Sequence, residues 1–259
     1  MQIGKADEPY TSISRATSDR IDVRGRDLTG DLMGRVGFTE YFHLLLTGRE
    51  PTEDERFFLD LLLVAIAEHG LVPSNVAARM TLDADPAFLQ GAVAAGLLGA
   101  GTVILGAAED CARMLAAARL EVEAGEPPGT VARAVARRYR DDGRRLPGFG
   151  HPLHRPVDPR AERILELTGA RGLDGPHLAL VRGLRAAVAE TWERPLTLNV
   201  SLPIAAVMLD LGYGVNVVKA VPILARTASL LAHLAEEGER PVGFLMAAKA
   251  EEAVEFRDD

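Results

Sequence analysis

A single cysteine, Cys111, stands among the 259 residues. No disulfide can close within the chain, which fits a reducing compartment, the cytoplasm. Set in an apolar, helical run, Cys111 reads as a buried structural thiol rather than a nucleophile. Positive charge is short as well: 29 Lys and Arg against 37 Asp and Glu leave a net charge of −8. Neither nucleic acid nor an anionic membrane is therefore expected as the main partner, since both call for a net basic face. The opening residues, MQIGKADEPYTSISR, lack the apolar core of a secretory leader, and none is expected there. The longest apolar run, Phe88–Ala108, is built largely of Ala and Gly and is flanked by Asp83, Asp85, Glu109 and Asp110 in place of basic residues. It is expected as a buried helix with small-residue packing, not as a membrane span. No fixed-period repeat or low-complexity linker interrupts the chain.

Helical periodicity fills most of what remains. IDVRGRDL, near the start, suits a short strand or extended arm. Helices are expected over Phe38–Thr47, from the capping box Thr52–Glu55 to His69, from Ser74-Asn75 through Met80, and from Asp85-Pro86 along the Ala/Gly-rich run. Others follow over Glu109–Glu123, Val131–Arg140, Pro159–Thr168, Pro176–Glu190 and Leu198–Leu211. The last is expected over Val215–Glu237, with Pro222 dividing a short turn from a long helix. Connections this short exclude a parallel sheet, so the class is all-α. The breaks at Gly125–Gly129 and Gly212–Gly214 act as natural hinges. They set a small helical domain, residues 116–214, inside a large one made of residues 1–115 and 215–259.

Chemistry concentrates in PGFGHPLHRPVDPRAERIL, Pro147–Leu165. Gly148 and Gly150 bracket Phe149, so the backbone can take positive φ or approach a ligand closely. His151 follows, and Asp158-Pro159 is a helix start that places Arg160 in a first turn. The positive charge of the chain is nearly all arginine, clustered at Arg137, Arg138, Arg140, Arg144, Arg145, Arg155 and Arg160. Fork-shaped cations beside an imidazole suit a carboxylate- or phosphate-bearing small molecule next to a general acid or base. His151 and His154 could begin a metal site, but no third ligand stands at helical spacing, and no metal is expected.

The ordered run Gly148-Phe149-Gly150-His151, then Asp158-Pro159-Arg160, resembles the signature of the citrate synthase family. Three further stretches are similar to that family: Glu68-His69-Gly70 with Ser74 and Arg79, Ile223–Ala228 continuing to His233, and Arg240-Pro241. The resemblance implies a large helical domain with a smaller one closing over a cleft. It implies that His69, His151, Arg160, Arg226 and Arg240 surround an oxaloacetate or citryl group, Arg240 reaching the neighbouring subunit's cleft in a homodimer, and that Arg155 meets a phosphate of coenzyme A. In length the chain is nearer to citryl-CoA lyases and the lyase portion of ATP-citrate lyase.

Two departures from the family pattern stand out. The segment Thr102–Glu109 has no histidine where the family stabilises the acetyl-CoA enolate, and Asn199-Val200 is followed by Ser201 where the family has a catalytic aspartate. A serine is a poor base at neutral pH; Glu109, Asp158 and His154 are candidate replacements. The expected activity is citryl-CoA lyase-like, with the coenzyme A thioester as substrate. His151 would take the hydroxyl proton, and Ser201 or a water would deal with the enolate carbon. The alternatives are a condensing enzyme with an altered substrate and an inactive oxaloacetate- or CoA-binding homologue.

Overall fold

Short-range signals become elements with small shifts at their ends. The computed structural model describes residues 9–258; residues 1–8 of the opening stretch read for a leader, Asp259, and the side chains of Thr102 and Val103 lie outside the described residues. A three-stranded antiparallel ribbon, β1 (Ser14–Ala16), β2 (Ile21–Val23) and β3 (Arg26–Asp27), leads into a π-turn at Leu28–Leu32. The helices are α1 (Phe38–Thr47), α2 (Glu53–Ala67), α3 (Pro73–Ala84), α4 (Leu89–Ala100), α5 (Ala107–Glu123), α6 (Pro128–Asp141), α7 (Pro159–Ala170), α8 (Pro176–Trp192), α9 (Ser201–Asp210), α10 (Val215–Val218), α11 (Ala220–Glu239) and α12 (Gly243–Ala253). The fold is all-α, as the periodicity requires.

Residues up to Asp60 form one compact unit and those from Leu61 a second. In the first, Val23, Leu32 and Leu44 make a small core, with Leu28, Val36, Tyr41 and Leu45 packed on it. The capping box forms: Thr52 N donates to Glu55 Oε2 at 2.8 Å, and Glu55 N to Thr52 Oγ1 at 3.2 Å. In the second unit α11 and α4 pack on α3, joined by α12, while α5, α6, α7, α8 and α9 pack among themselves.

Several expected boundaries move for identifiable reasons. α3 begins at Pro73, whose missing N–H suits the first helical position, so Ser74 and Asn75 are buried first-turn residues rather than caps. The run Phe88–Ala108 is not one helix. α4 ends where Gly101 turns to φ +52°, and a π-turn, Gly101–Leu105, precedes α5. Nor is α4 wholly buried: Ala92, Gly96 and Ala100 face inward while Leu98 is exposed. A Cβ on Gly96 would lie 2.6 Å from Leu230 Cδ2 and 3.1 Å from Ala78 Cβ. The small-residue face is thus spent on α3 and α11 of the same chain. Before α11 the break falls at Lys219, and Pro222 sits in the first turn, where no hydrogen bond is lost. Among the described residues the stretch long and apolar enough to cross a membrane is Val215–Glu239, not Phe88–Ala108. It carries Arg226 and Glu237 buried within the protein.

Candidate active site

The Gly148–His151 loop is stitched to the chain entering α9. Gly150 N donates to Thr197 O at 2.7 Å, Asn199 N to Gly148 O at 2.9 Å, and Asn199 Nδ2 to Gly150 O at 2.9 Å. Gly148 has φ +84°, and a Cβ there would fall 2.5 Å from Leu202 Cβ, so only glycine lets the loop lie this close to α9. Asp158, fully buried, ties the next segment to the same place. Its carboxylate caps α7 by accepting from Arg160 N at 3.1 Å, pairs with Arg160 Nη2 at 2.9 Å, and accepts from Val200 N at 3.1 Å. Burial pushes this carboxyl up, but the Arg160 guanidinium and the two backbone N–H groups hold it below its ordinary value.

Held this way, Arg160 Nη2 comes 3.3 Å from His151 Nε2. His151 Nδ1 accepts from the backbone N–H groups of Leu153 (3.1 Å) and His154 (2.8 Å). A ring whose Nδ1 holds a lone pair carries its hydrogen on Nε2 when neutral. Arg160 can only donate and would call for a lone pair on Nε2, but its 3.3 Å approach is longer than those of the two backbone donors on Nδ1, so His151 is a donor at Nε2, where the sequence led us to expect an acceptor. A guanidinium and an imidazole N–H side by side suit an oxygen that accepts from both.

His69 arrives from the end of α2, which stops at Ala67 and turns through Gly70 at φ +73°. Glu68 holds the corner, accepting from His69 N at 2.9 Å, from Gly70 N, from Ser229 Oγ and from His233 Nε2 at 3.1 Å. Partial burial pushes Glu68 up, yet Ser229, Gly70 and His233 together hold it at about 2. Arg79 donates to His233 Nδ1 from Nε at 3.1 Å, which leaves His233 Nε2 as the donor toward Glu68. Arg79 is itself anchored by Glu236 and Glu237.

Three imidazoles meet: His69 Nε2 lies 3.2 Å from His154 Nε2, and the His151 and His154 ring centres are 4.4 Å apart. Arg226, from α11, is 5% exposed, and its Nη1 has no hydrogen-bond partner among the described residues. Burial lowers its pKa, against the pull of Glu68. Burial first, then the charge of Arg160, lowers His69; burial, then His154, lowers His151. Both rings are thus neutral at neutral pH. A histidine held below its unfolded value of about 6.5 stabilises the fold above that pH and loses the contribution as pH falls toward the lowered value. The thermal midpoint of the ligand-free protein should accordingly fall between pH 7.5 and 5.5, and less in His69→Gln, as followed by circular dichroism.

Ring nitrogens of His69, His151 and His154 all lie within 4.8 Å of one another, which supplies the third histidine that helical spacing did not. The set fits a metal poorly. Nδ1 of His151 is taken by two backbone donors and its Nε2 carries the hydrogen, so two lone pairs remain, next to two arginines. An anion is the better match.

The structure thus gathers His69, His151 and Arg160, adds His154, and sets the buried Arg226 within electrostatic reach of His69 and Arg160. Ser201 opens α9, half-buried, with its N–H on Asn199 Oδ1 at 3.1 Å; the same asparagine reaches Gly150 O. Arg155 is exposed beside the loop, its Nε 3.4 Å from His151 O. Arg240 stays out of the cluster, exposed at the end of α11 and 3.7 Å from Glu236. Glu109 pairs with Arg113 and Lys219. Sequence reasoning missed the roles of Glu68, Ser229 and His233. The i, i+3, i+7 spacing of Arg226, Ser229 and His233 on one helix face was the available signal.

Residues 24–242 match the family model described as citrate synthase, C-terminal domain. Citrate synthase 2 of Bacillus subtilis (strain 168) is 28% identical over 204 residues, 78% of this chain and 52% of that protein. A putative citrate synthase 2 of Mycobacterium tuberculosis (strain ATCC 25618 / H37Rv) is 34% identical over 199 residues, 73% of this chain and 49% of that protein. The chain spans about half the length of these curated relatives. The structure of citryl-CoA lyase from Hydrogenobacter thermophilus superposes with a TM-score of 0.85 at 27% identity, covering 100% of this chain and 96% of that one. ATP citrate lyase from Methanothrix soehngenii, solved with citrate and coenzyme A, gives 0.74 at 22% identity over 92% of this chain and 40% of that one, a likeness of fold.

Proposed function

The chain belongs to the citrate synthase family, and from that premise we propose that it cleaves citryl-CoA, or a similar 3-hydroxy polycarboxyl thioester, to acetyl-CoA and oxaloacetate. The observation that carries this reading is Arg226: a buried guanidinium with an unpaired Nη1, within reach of the charges of Arg160 and Glu68 and itself acting on His69, suits a carboxylate. Arg226 and Arg160 hold carboxylates in this scheme, and the Nδ1–H of His69 and the Nε2–H of His151 bond to oxygens of the bound acid. The His151 bond meets the oxygen that becomes the keto group and strengthens as charge gathers on it.

The rest of the assignment has the same standing. Coenzyme A is part of the substrate, Arg155 meets one of its phosphates from the exposed flank of the loop, and Ser201 lies toward the thioester. The protein works in the cytoplasm on small molecules, without a metal and apart from nucleic acid and membrane. Residues 116–214 close as a smaller lobe over the larger one formed by residues 1–115 and 215–259. The homodimer in this scheme rests on Arg240, exposed at the end of α11 and reaching a second copy's cleft.

Cleavage is favoured over condensation by the nearly full-length match to a citryl-CoA lyase. Condensation remains the second reading because the curated relatives are citrate synthases. One pair of assays decides. Citryl-CoA should yield oxaloacetate, read by its reduction with NADH and malate dehydrogenase, faster than oxaloacetate and acetyl-CoA yield free thiol. Release of thiol without cleavage of citryl-CoA overturns the lyase reading.

A further inference from the structure

Breaking the bond between the hydroxyl-bearing carbon and the methylene carbon next to the thioester carbonyl requires a proton to leave the hydroxyl, and later one to arrive at that methylene carbon. Resting on the proposed activity, the question is which group carries it. His151 is a donor at Nε2, its Nδ1 being engaged by two backbone N–H groups. Asp158 is buried and spent on Arg160 and Val200, and Glu109 on Arg113 and Lys219. Ser201 has no activating partner among the described residues.

His154 remains. Its Nε2 faces His69 Nε2 at 3.2 Å, and in a hydrogen bond between two ring nitrogens one bears the hydrogen and the other the lone pair. The arrangement that frees a lone pair for chemistry has His154 Nε2–H donating to His69 Nε2, with the hydrogen of His69 on Nδ1. That leaves Nδ1 of His154 with its lone pair, and no described residue donates to it.

The geometry points to His154 as the catalytic proton carrier that stands in for the carboxylate missing at position 201. Its Nδ1 takes the hydroxyl proton as the carbon–carbon bond breaks; the keto C=O forms, and the bonding pair passes to the thioester as its enolate. The imidazolium then returns the same proton to the enolate carbon, giving the methyl group of acetyl-CoA and restoring neutral His154. Charge and atoms balance with no further reactant. Throughout, His69 Nε2 accepts from His154 Nε2–H and spreads the charge of the imidazolium.

Three measurements test this. In His154→Gln, kcat for citryl-CoA should fall about 10²–10⁴-fold, the span general acid–base catalysis covers, while KM and oxaloacetate affinity stay near wild type; a ring that merely packed would move these together. Exchange of acetyl-CoA methyl hydrogens with D2O in the presence of oxaloacetate should vanish in the same variant. Nitrogen-15 spectra of the wild type should show His154 Nδ1 bare and Nε2 protonated, a readout that survives if the variant does not fold. Wild-type kcat in His154→Gln, or a protonated Nδ1 in the spectra, overturns the proposal. A wild type inert toward citryl-CoA overturns the lyase reading instead, and the carrier role then stands if methyl exchange occurs and is lost in His154→Gln, and falls if no exchange occurs.

Discussion

Arg226→Met should weaken oxaloacetate binding by orders of magnitude while making the ligand-free protein harder to unfold. The two effects share one cause. Arg226 is buried, its Nη1 has no partner, and burial already works against its charge. Replacing a buried unpaired polar group with an apolar one of similar length removes a cost of about 1–3 kcal/mol, more where the group is charged. At roughly 2–4 °C per kcal/mol for a chain of this size, the thermal midpoint should rise by several degrees. Truncating one partner of a buried charge pair costs about 2–5 kcal/mol in a complex, so oxaloacetate should bind roughly 30- to 5,000-fold more weakly. Calorimetry with and without the keto acid reads both. A variant with weakened binding but an unchanged or lower midpoint would show that Arg226 is already compensated in the free protein.

Asp158→Asn should be the most damaging conservative change. The carboxylate accepts from Arg160 N, from the Arg160 guanidinium and from Val200 N. An amide turns one of its two acceptor atoms into a donor, so a donor faces a donor in a site with no exposure. Breaking a buried pair from one side costs about 3–5 kcal/mol, and the urea midpoint should drop accordingly. Turnover should drop with it, because the same three bonds aim Arg160 and seat the chain leading to Ser201. The pH dependence has a definite sign. With its folded pKa below the ordinary value of about 4, Asp158 stabilises the wild type fully above that value and loses this as pH falls through the lowered one. The gap between wild type and variant should be constant from pH 5 to 8 and narrow only in stronger acid.

What could be read in the sequence follows how far a signal reaches along the chain. The cap at Asp158-Pro159, the Thr52–Glu55 box and the glycines around Phe149 act within a few residues, and each forms as written. The resemblance located His69, His151, Arg160 and Arg226 because those residues stand in ordered motifs. Bonds between distant residues were out of reach: Ser229 to Glu68 spans 161 positions, and His69 to His154 spans 85. The Phe88–Ala108 run was misread because apolar content cannot reveal that Gly101 takes positive φ and ends the helix. Pro222 was given the break before α11 because a proline in the first turn looks the same on paper as one that interrupts.

The clamp of two main-chain N–H groups on Nδ1 of His151 also limits what can replace that residue. Asparagine can offer an oxygen where Nδ1 stands, but its amide ends short of Nε2; glutamine can reach the far position and leaves both main-chain donors without a carboxamide oxygen. Neither imitates both edges of the ring at once, so position 151 admits no isostere among the remaining amino acids, and a library randomised there should return histidine alone among its active members.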